Sequence, residues 1–506
     1  MGLHETLEKL HLIDRESRYL ERAIAVLRWD QETYLPEKGV EDRSEQLALL
    51  DGIAHERLTS PESARLLSEL GSTPENPKGD EKLPSLERDF LKVFRRNYDR
   101  AVKLPVDFVS ASARAEGLSQ AAWADARREN DFSRFLPHLE KMIDFSRQKA
   151  LYWGFNENPY DGLLDIYEPG MGAEKISAVF TPLGQRLSAL FKKIISCPQP
   201  DCSFLDQNFD IESQACFSRD LMQRLGFDAH RGRMDVSAHP FTTTLGSDDV
   251  RITTRFLPKQ IQSGVFSTIH ESGHAFYEMD FPGEIRGTCL ADGASMGIHE
   301  SQSRLWENVI GRSRFFWEAM FPALRSYFPG ALSLVSVEDF YRAINLVEPS
   351  LIRIEADEVS YSLHIILRFD LERELFSGTL SPANLPAACR KKMKEYLGVE
   401  PETDTQGVLQ DVHWSMGAFG YFPSYALGNL YGLQFWEKLK SDIPQTEDLI
   451  AEGNFDPLRS WLRDKIYNWG RRPEPRDLLK TVTGKDLSAE PFLGYIESKY
   501  AGLYGF

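Results

Sequence analysis

The chain has 506 residues, 42% of them hydrophobic, which is ample for a large buried core. Its formal net charge of −17 argues against non-specific binding to nucleic acid or to an anionic membrane, since both need basic patches. The five cysteines are odd in number and form no C-x-x-C pair, which fits a reduced, cytoplasmic compartment, and no apolar run of about 18 residues is present to cross a bilayer.

From Leu3 to Leu27, apolar residues recur at helical spacing through Leu7, Leu10, Ile13, Leu20, Ile24 and Leu27. This predicts a long amphipathic helix at the start of the chain. Gly2 and Thr6 formally fit a myristoylation pattern, but no polybasic stretch follows to supply the second signal that stable anchoring needs. Most of the remaining sequence reads as further amphipathic helices, separated by Pro- and Gly-marked loops at 71–79, 197–200, 378–382 and 400–403. None of these loops is a clear linker and there is no internal repeat, so residues 1–506 are expected to form a single large domain.

Residues 231–256 break the helical pattern. Val, Thr and Ile alternate with polar residues, and 246–249 reads as a turn, which predicts a short hairpin. A strand edge there can hold an extended peptide backbone through main-chain hydrogen bonds; the competing reading is a small structural sheet.

Next comes His270-Glu271-Ser272-Gly273-His274, the pattern H-E-x-x-H. On a helix the two histidines lie at i and i+4 on one face and can share a metal ion, with Glu271 beside it as general base. The proline-free flanks support such a helix, with Ser263 as a candidate cap. A catalytic zinc takes three protein ligands and keeps one position open. The favoured third ligand is Glu300, on a second helix expected from about Ala294 through Ile310 after a Gly-rich loop. Two neutral histidines and one carboxylate leave a net positive site, which lowers the pKa of bound water. His299 is the rival ligand, and Glu278 and Asp292 are weaker ones. Adjacent helical residues point about 100° apart, so His299 and Glu300 do not both ligate easily.

Several islands taken together resemble the thermostable (Taq-type) metallocarboxypeptidases. They are Trp29-Asp30-Gln31-Glu32-Thr33, His239-Pro240-Phe241, Asp249-Val250-Arg251-Ile252-Thr253, His270 to His274, His299-Glu300-Ser301-Gln302, Ile352 to Asp357, and Gly407 to Trp414. The resemblance implies a mainly α, saddle-shaped gluzincin fold similar to neurolysin and angiotensin-converting enzyme. In such a fold a deep central groove divides the chain into two lobes and a small β-sheet lies beside the metal. It also implies cytosolic homodimers that remove single C-terminal residues with broad specificity, and it supports Glu300 as third ligand. The alternative activity is a zinc endo-oligopeptidase of related fold.

In related gluzincins a histidine and a downstream tyrosine serve the oxyanion. His413 and Tyr425 are the candidates here, with Tyr421 as the alternative tyrosine. The free α-carboxylate of a substrate calls for an arginine. Arg353 and Arg251 are the candidates, unless they are engaged internally by Asp357 at i+4 and by Asp249. Gln410 and Asp411 are expected to hold neighbouring groups, for example by orienting a ligating imidazole. His239 is a candidate for the groove wall. His55, His138 and His364 read as ordinary surface or core residues. The expected cofactor is one Zn2+ per subunit, with Co2+ accepting the same ligands. The expected partners are peptides with a free C-terminus, with no nucleic acid and no membrane.

Overall fold

The amino-terminal periodicity is realised as one helix, α1 (Leu3–Thr33), in the structure, a computed structural model that describes residues 2–506. Leu7, Leu10, Ile13 and Ile24 form its buried face. It packs against α2 (Val40–Leu58) as a helical hairpin. The helix runs past Leu27, so that Trp29 reaches the sheet, where the Arg251 guanidinium lies 4.3 Å from its ring. The Tyr34 hydroxyl, just beyond the helix, donates to Asp235 at 2.6 Å. The described residues are mainly α-helical, with this one small sheet among them.

The expected hairpin is β2 (Thr242–Gly246) and β3 (Asp249–Thr254), antiparallel with Thr242 opposite Ile252. A third strand, β1 (Gly232–Val236), adds in parallel on the other side of β3. The order is therefore β1-β3-β2. Val250, Ile252, Thr253 and Thr254 of the central strand are fully buried, while β2 forms an edge.

The H-E-x-x-H segment lies on a helix, Ile261–Met279, that packs against the sheet. It begins two residues before Ser263, and no side chain caps it. The expectation of a Ser263 cap is thus corrected. Ile261 is itself buried, so packing draws the helix start earlier, and the Ser263 amide already donates to the Gln260 carbonyl. The following helix, Met296–Arg304, starts later than the expected Ala294 because Ser295 caps it, its hydroxyl accepting from the Ile298 amide at 3.0 Å. It then widens into a π-helical turn, Leu305–Ile310, where the Gly311 amide donates to the Trp306 carbonyl five residues back.

These two helices touch at Gly273. A Cβ there would lie 2.7 Å from the Gln302 carbonyl oxygen and the Ser303 Cα. Only glycine permits so close an approach of the second backbone. Two helices buried nearly all round, Tyr361–Ser377 and Pro423–Asp442, pack against each other in the interior. Gly428 of the second meets Glu300 directly: a Cβ at that position would sit 2.5 Å from its Cγ. His364 is fully buried in the first and faces the Ser350 carbonyl at 3.1 Å.

Candidate metal centre

His270 and His274 stand one turn apart on the Ile261–Met279 helix. Oε2 of Glu300 lies 3.7 Å from Nε2 of His270 and 3.4 Å from Nε2 of His274. The three residues offer donor atoms within 4.8 Å of one another. The remaining ring nitrogens have other partners. His270 Nδ1 lies 2.8 Å from Oε2 of Glu307, and His274 Nδ1 lies 2.6 Å from Nδ1 of His299. Two imidazole nitrogens and one carboxylate oxygen thus converge, which is the donor set of a catalytic divalent metal with an open position.

The electrostatics differ between the two histidines. Burial disfavours the charged His274, whose pKa falls to about 3, so it stays neutral as a ligand must. In His270 burial is outweighed by Glu300 and Glu307, and its pKa rises. Burial also opposes the Glu300 carboxylate, but Arg304 and the histidines hold it well below the usual range. Arg304 Nε donates to Glu300 Oε1 at 2.7 Å, and the Ser303 hydroxyl lies 3.1 Å from Oε2.

Glu271 follows His270 on the same helix. The Thr242 hydroxyl of edge strand β2 donates to its Oε2 at 2.7 Å and lies 3.0 Å from its carbonyl oxygen. Burial raises the Glu271 pKa, making the carboxylate a stronger base than a solvated one. A cavity of 330 Å³ is lined by Thr242, Thr243 and Thr244 of β2, by Glu278 and His299, and by Arg18, Glu21 and Arg22 of α1; it meets Glu271 only through Thr242.

The rival ligands stand outside the donor cluster. His299 sits behind His274, and its Nε2 lies 2.7 Å from Oε1 of Glu278. Asp292 pairs with Arg471 at 3.2 Å.

His413 and Tyr425 come together: His413 Nε2 lies 3.3 Å from the Tyr425 hydroxyl, and the Tyr421 and Tyr425 ring centres are 5.3 Å apart. Burial lowers the His413 pKa to about 4, raises Tyr421 to about 12 and holds Tyr425 well above its usual value, so the histidine is neutral and both tyrosines keep their protons. Tyr361 links this pair to the metal donors: its ring centre is 6.2 Å from that of Tyr425 and 4.0 Å from the guanidinium of Arg304, the cation that holds Glu300. The segment is pinned by a residue that sequence reasoning did not single out. Glu372 accepts from the Trp414 indole at 2.8 Å, from the Gly420 amide at 2.8 Å and from the Tyr160 hydroxyl at 2.7 Å.

Arg353 does not pair with Asp357. The 3-10 turn Arg353–Glu355 stops before a fourth residue can return to the same face, and Asp357 instead accepts from the Val359 and Ser360 amides. The partner of Arg353 is Asp411, whose Oδ1 lies 2.9 Å from Nε and 2.8 Å from Nη2; Arg368 holds the other oxygen at 2.7 Å. Gln410 orients no imidazole. Its carbonyl accepts from the Arg353 amide at 2.9 Å, and its amide donates to the Leu351 and Gln406 carbonyls. Arg251 does pair with Asp249, twice at 2.9 Å, besides stacking on Trp29. His239 is exposed at the approach to β2.

Arg304 and Glu307 are further site residues that the sequence reasoning passed over. Their spacing from Glu300, four and seven residues along one helical stripe, is the signal that points to them.

The chain matches the family described as Carboxypeptidase Taq (M32) metallopeptidase over residues 9–500. It is 43% identical over 503 residues to thermostable carboxypeptidase 1 of Thermus thermophilus, a match covering 97% of each chain. It is 40% identical over 514 residues to carboxypeptidase 1 of Bacillus subtilis, covering 100% of both. Among solved structures, the M32 carboxypeptidase from Deinococcus radiodurans superposes with a TM-score of 0.96 at 39% identity, covering 99% of this chain and 100% of that one.

Proposed function

The chain belongs to the carboxypeptidase Taq (M32) metallopeptidase family and is a metallocarboxypeptidase, and we propose that it removes single residues from free peptide C-termini at the His270–His274–Glu300 centre. The observation that carries the site assignment is the convergence of the two Nε2 atoms on Oε2 of Glu300, with Glu271 alongside and steadied by Thr242.

His270, His274 and Glu300 would hold one metal ion, Zn2+ by preference and Co2+ as a substitute of like coordination. When bound, the ion supplies Lewis-acid polarisation of the scissile carbonyl and makes water more acidic. Glu271 takes a proton from the attacking water and returns it to the leaving amine. His413 and Tyr425 donate hydrogen bonds to the developing oxyanion, which a neutral imidazole and a protonated phenol can do. Arg353 is the better arginine for the substrate carboxylate. An aspartate holds each of them, Asp411 on Arg353 and Asp249 on Arg251, so position decides: Arg353 lies 5.1 Å from the Tyr425 ring, beside the oxyanion donors, whereas Arg251 stacks on Trp29. Gln410 serves by fixing the Arg353 backbone, Tyr421 by flanking Tyr425, and His239 by walling the approach to β2. Peptide substrates lie along the free edge of β2, over the cavity.

The same reading takes residues 1–506 as one domain whose groove separates two lobes. It makes the enzyme a cytoplasmic homodimer. Five free cysteines support a reducing compartment, and no described helix is long and apolar enough to cross a membrane. Leu12, Tyr19 and Val26, exposed at seven-residue intervals on α1, support a face for a second copy.

The test compares one peptide with its C-terminally amidated form. Stepwise loss of terminal residues from the free acid and resistance of the amide are expected. Equal internal cleavage of both overturns the exopeptidase reading.

A further inference from the structure

Behind His274 runs a line of contacts that the hydrolytic roles leave unused. His274 Nδ1 lies 2.6 Å from His299 Nδ1, His299 Nε2 lies 2.7 Å from Oε1 of Glu278, and Oε2 of Glu278 accepts from the Thr244 hydroxyl at 3.0 Å. The line crosses three elements. His274 and Glu278 share one face of the Ile261–Met279 helix at i and i+4, His299 comes from the Met296–Arg304 helix, and Thr244 from edge strand β2.

Its proton bookkeeping has a single solution. If His274 presents the lone pair of Nε2 to the metal, its proton sits on Nδ1 and His299 Nδ1 must accept it. The His299 proton then sits on Nε2 and is donated to Glu278, which accepts from Thr244 as well. Every polar atom along the line is satisfied. The opposite tautomer would put a proton on His274 Nε2, facing Glu300 and occupying the position of the metal. His270 is arranged more simply, with Glu307 directly on its Nδ1.

We propose that His299 and Glu278 are positioning residues that lock the His274 ring in the Nδ1-protonated tautomer and aim its Nε2 at the metal, with Thr244 tying the relay to the edge strand. The inference rests on the reading of His274 as a ligand. His299, Glu278 and Thr244 also line the 330 Å³ cavity, so under the proposed function the relay forms part of the wall of the peptide path.

The test follows release of zinc from the loaded enzyme to an excess of a chromogenic chelator. Release about 10–100-fold faster than wild type is expected for His299→Ala and for Glu278→Ala. His299→Asn, whose amide oxygen can accept the Nδ1 proton, is expected to fall between, as is the milder Glu278→Gln. The visible absorption of the cobalt-loaded His299→Ala protein is expected to differ from wild type, while the melting temperatures of the metal-free proteins stay close to it. Release rates within about twofold of wild type with an unchanged cobalt spectrum overturn the relay. So does faster release that His299→Asn does not rescue and that tracks a loss of metal-free stability. A wild-type protein that retains no metal overturns the ligand reading itself, a result separate from either.

Discussion

Arg304 grips one oxygen of the Glu300 carboxylate and turns the other toward the histidines. Its Nε donates to Oε1 at 2.7 Å, while Oε2 faces His274 at 3.4 Å and His270 at 3.7 Å. The same guanidinium reaches Oε2 of Glu307 at 3.4 Å and lies 4.0 Å from the Tyr361 ring. One cation therefore holds both the proposed ligand Glu300 and Glu307, the carboxylate on Nδ1 of His270.

Replacing Arg304 by Met is expected to leave two buried carboxylates without their cation. The metal-free protein should lose about 3–5 kcal/mol in urea unfolding, the cost of breaking a buried ion pair. Metal affinity by chelator competition should fall as well. Arg304→Lys keeps the charge but not the fork, and should lie between.

Glu271→Gln should lower kcat by about 10²–10⁴-fold, the range for loss of a general base, while metal content by elemental analysis stays at the wild-type level. Thr242→Val, which removes only the hydroxyl on Oε2, should show a smaller loss in the same direction. Full activity in Glu271→Gln would remove the carboxylate from the mechanism.

Tyr425→Phe should cost about 10²–10³-fold in kcat with little change in KM, as expected for a donor that acts on the oxyanion alone. Tyr421→Phe should cost less, since it is the Tyr425 hydroxyl that lies 3.3 Å from His413 Nε2. A larger loss in Tyr421→Phe reverses the assignment.

Two fully buried carboxyls make stability depend on pH. Burial raises Glu168 to about 8 and Glu372 to about 7. A folded pKa above the unfolded one gives stability that is full at acid pH and is lost as pH rises through the folded value. Between about pH 5 and 8 these two groups should therefore weaken the fold progressively. Glu168→Gln should flatten that slope, read as the difference from wild type in urea midpoints across the range; identical slopes would show that Glu168 does not titrate there.

The candidate metal site was legible because its parts are close in sequence and obey one period. The H-E-x-x-H spacing needs only a helix, and Glu300 needs only the next helix to fold back. What could not be read were partners brought together by tertiary packing. Asp411 meets Arg353 from 58 residues away, so the local i+4 rule could offer only Asp357 as an internal partner. The Ser263 cap failed for a related reason: burial of Ile261 outweighed local capping preference. Strand β1 was missed because it pairs in parallel across β3, and no turn in the sequence announces such a partner.

The π-helical turn after Arg304 bears on how this chain tolerates changes of length. A π turn contains one residue more than the α-helical turn it replaces. Deleting a single residue from 308–310 would let the turn relax to ordinary helix, leaving Glu300, Arg304 and Glu307 facing the histidines. An inserted residue finds no such slack. It would swing the buried residues that follow by about 100° and drive them out of the core. Around this centre the chain is built to lose a residue more readily than to gain one.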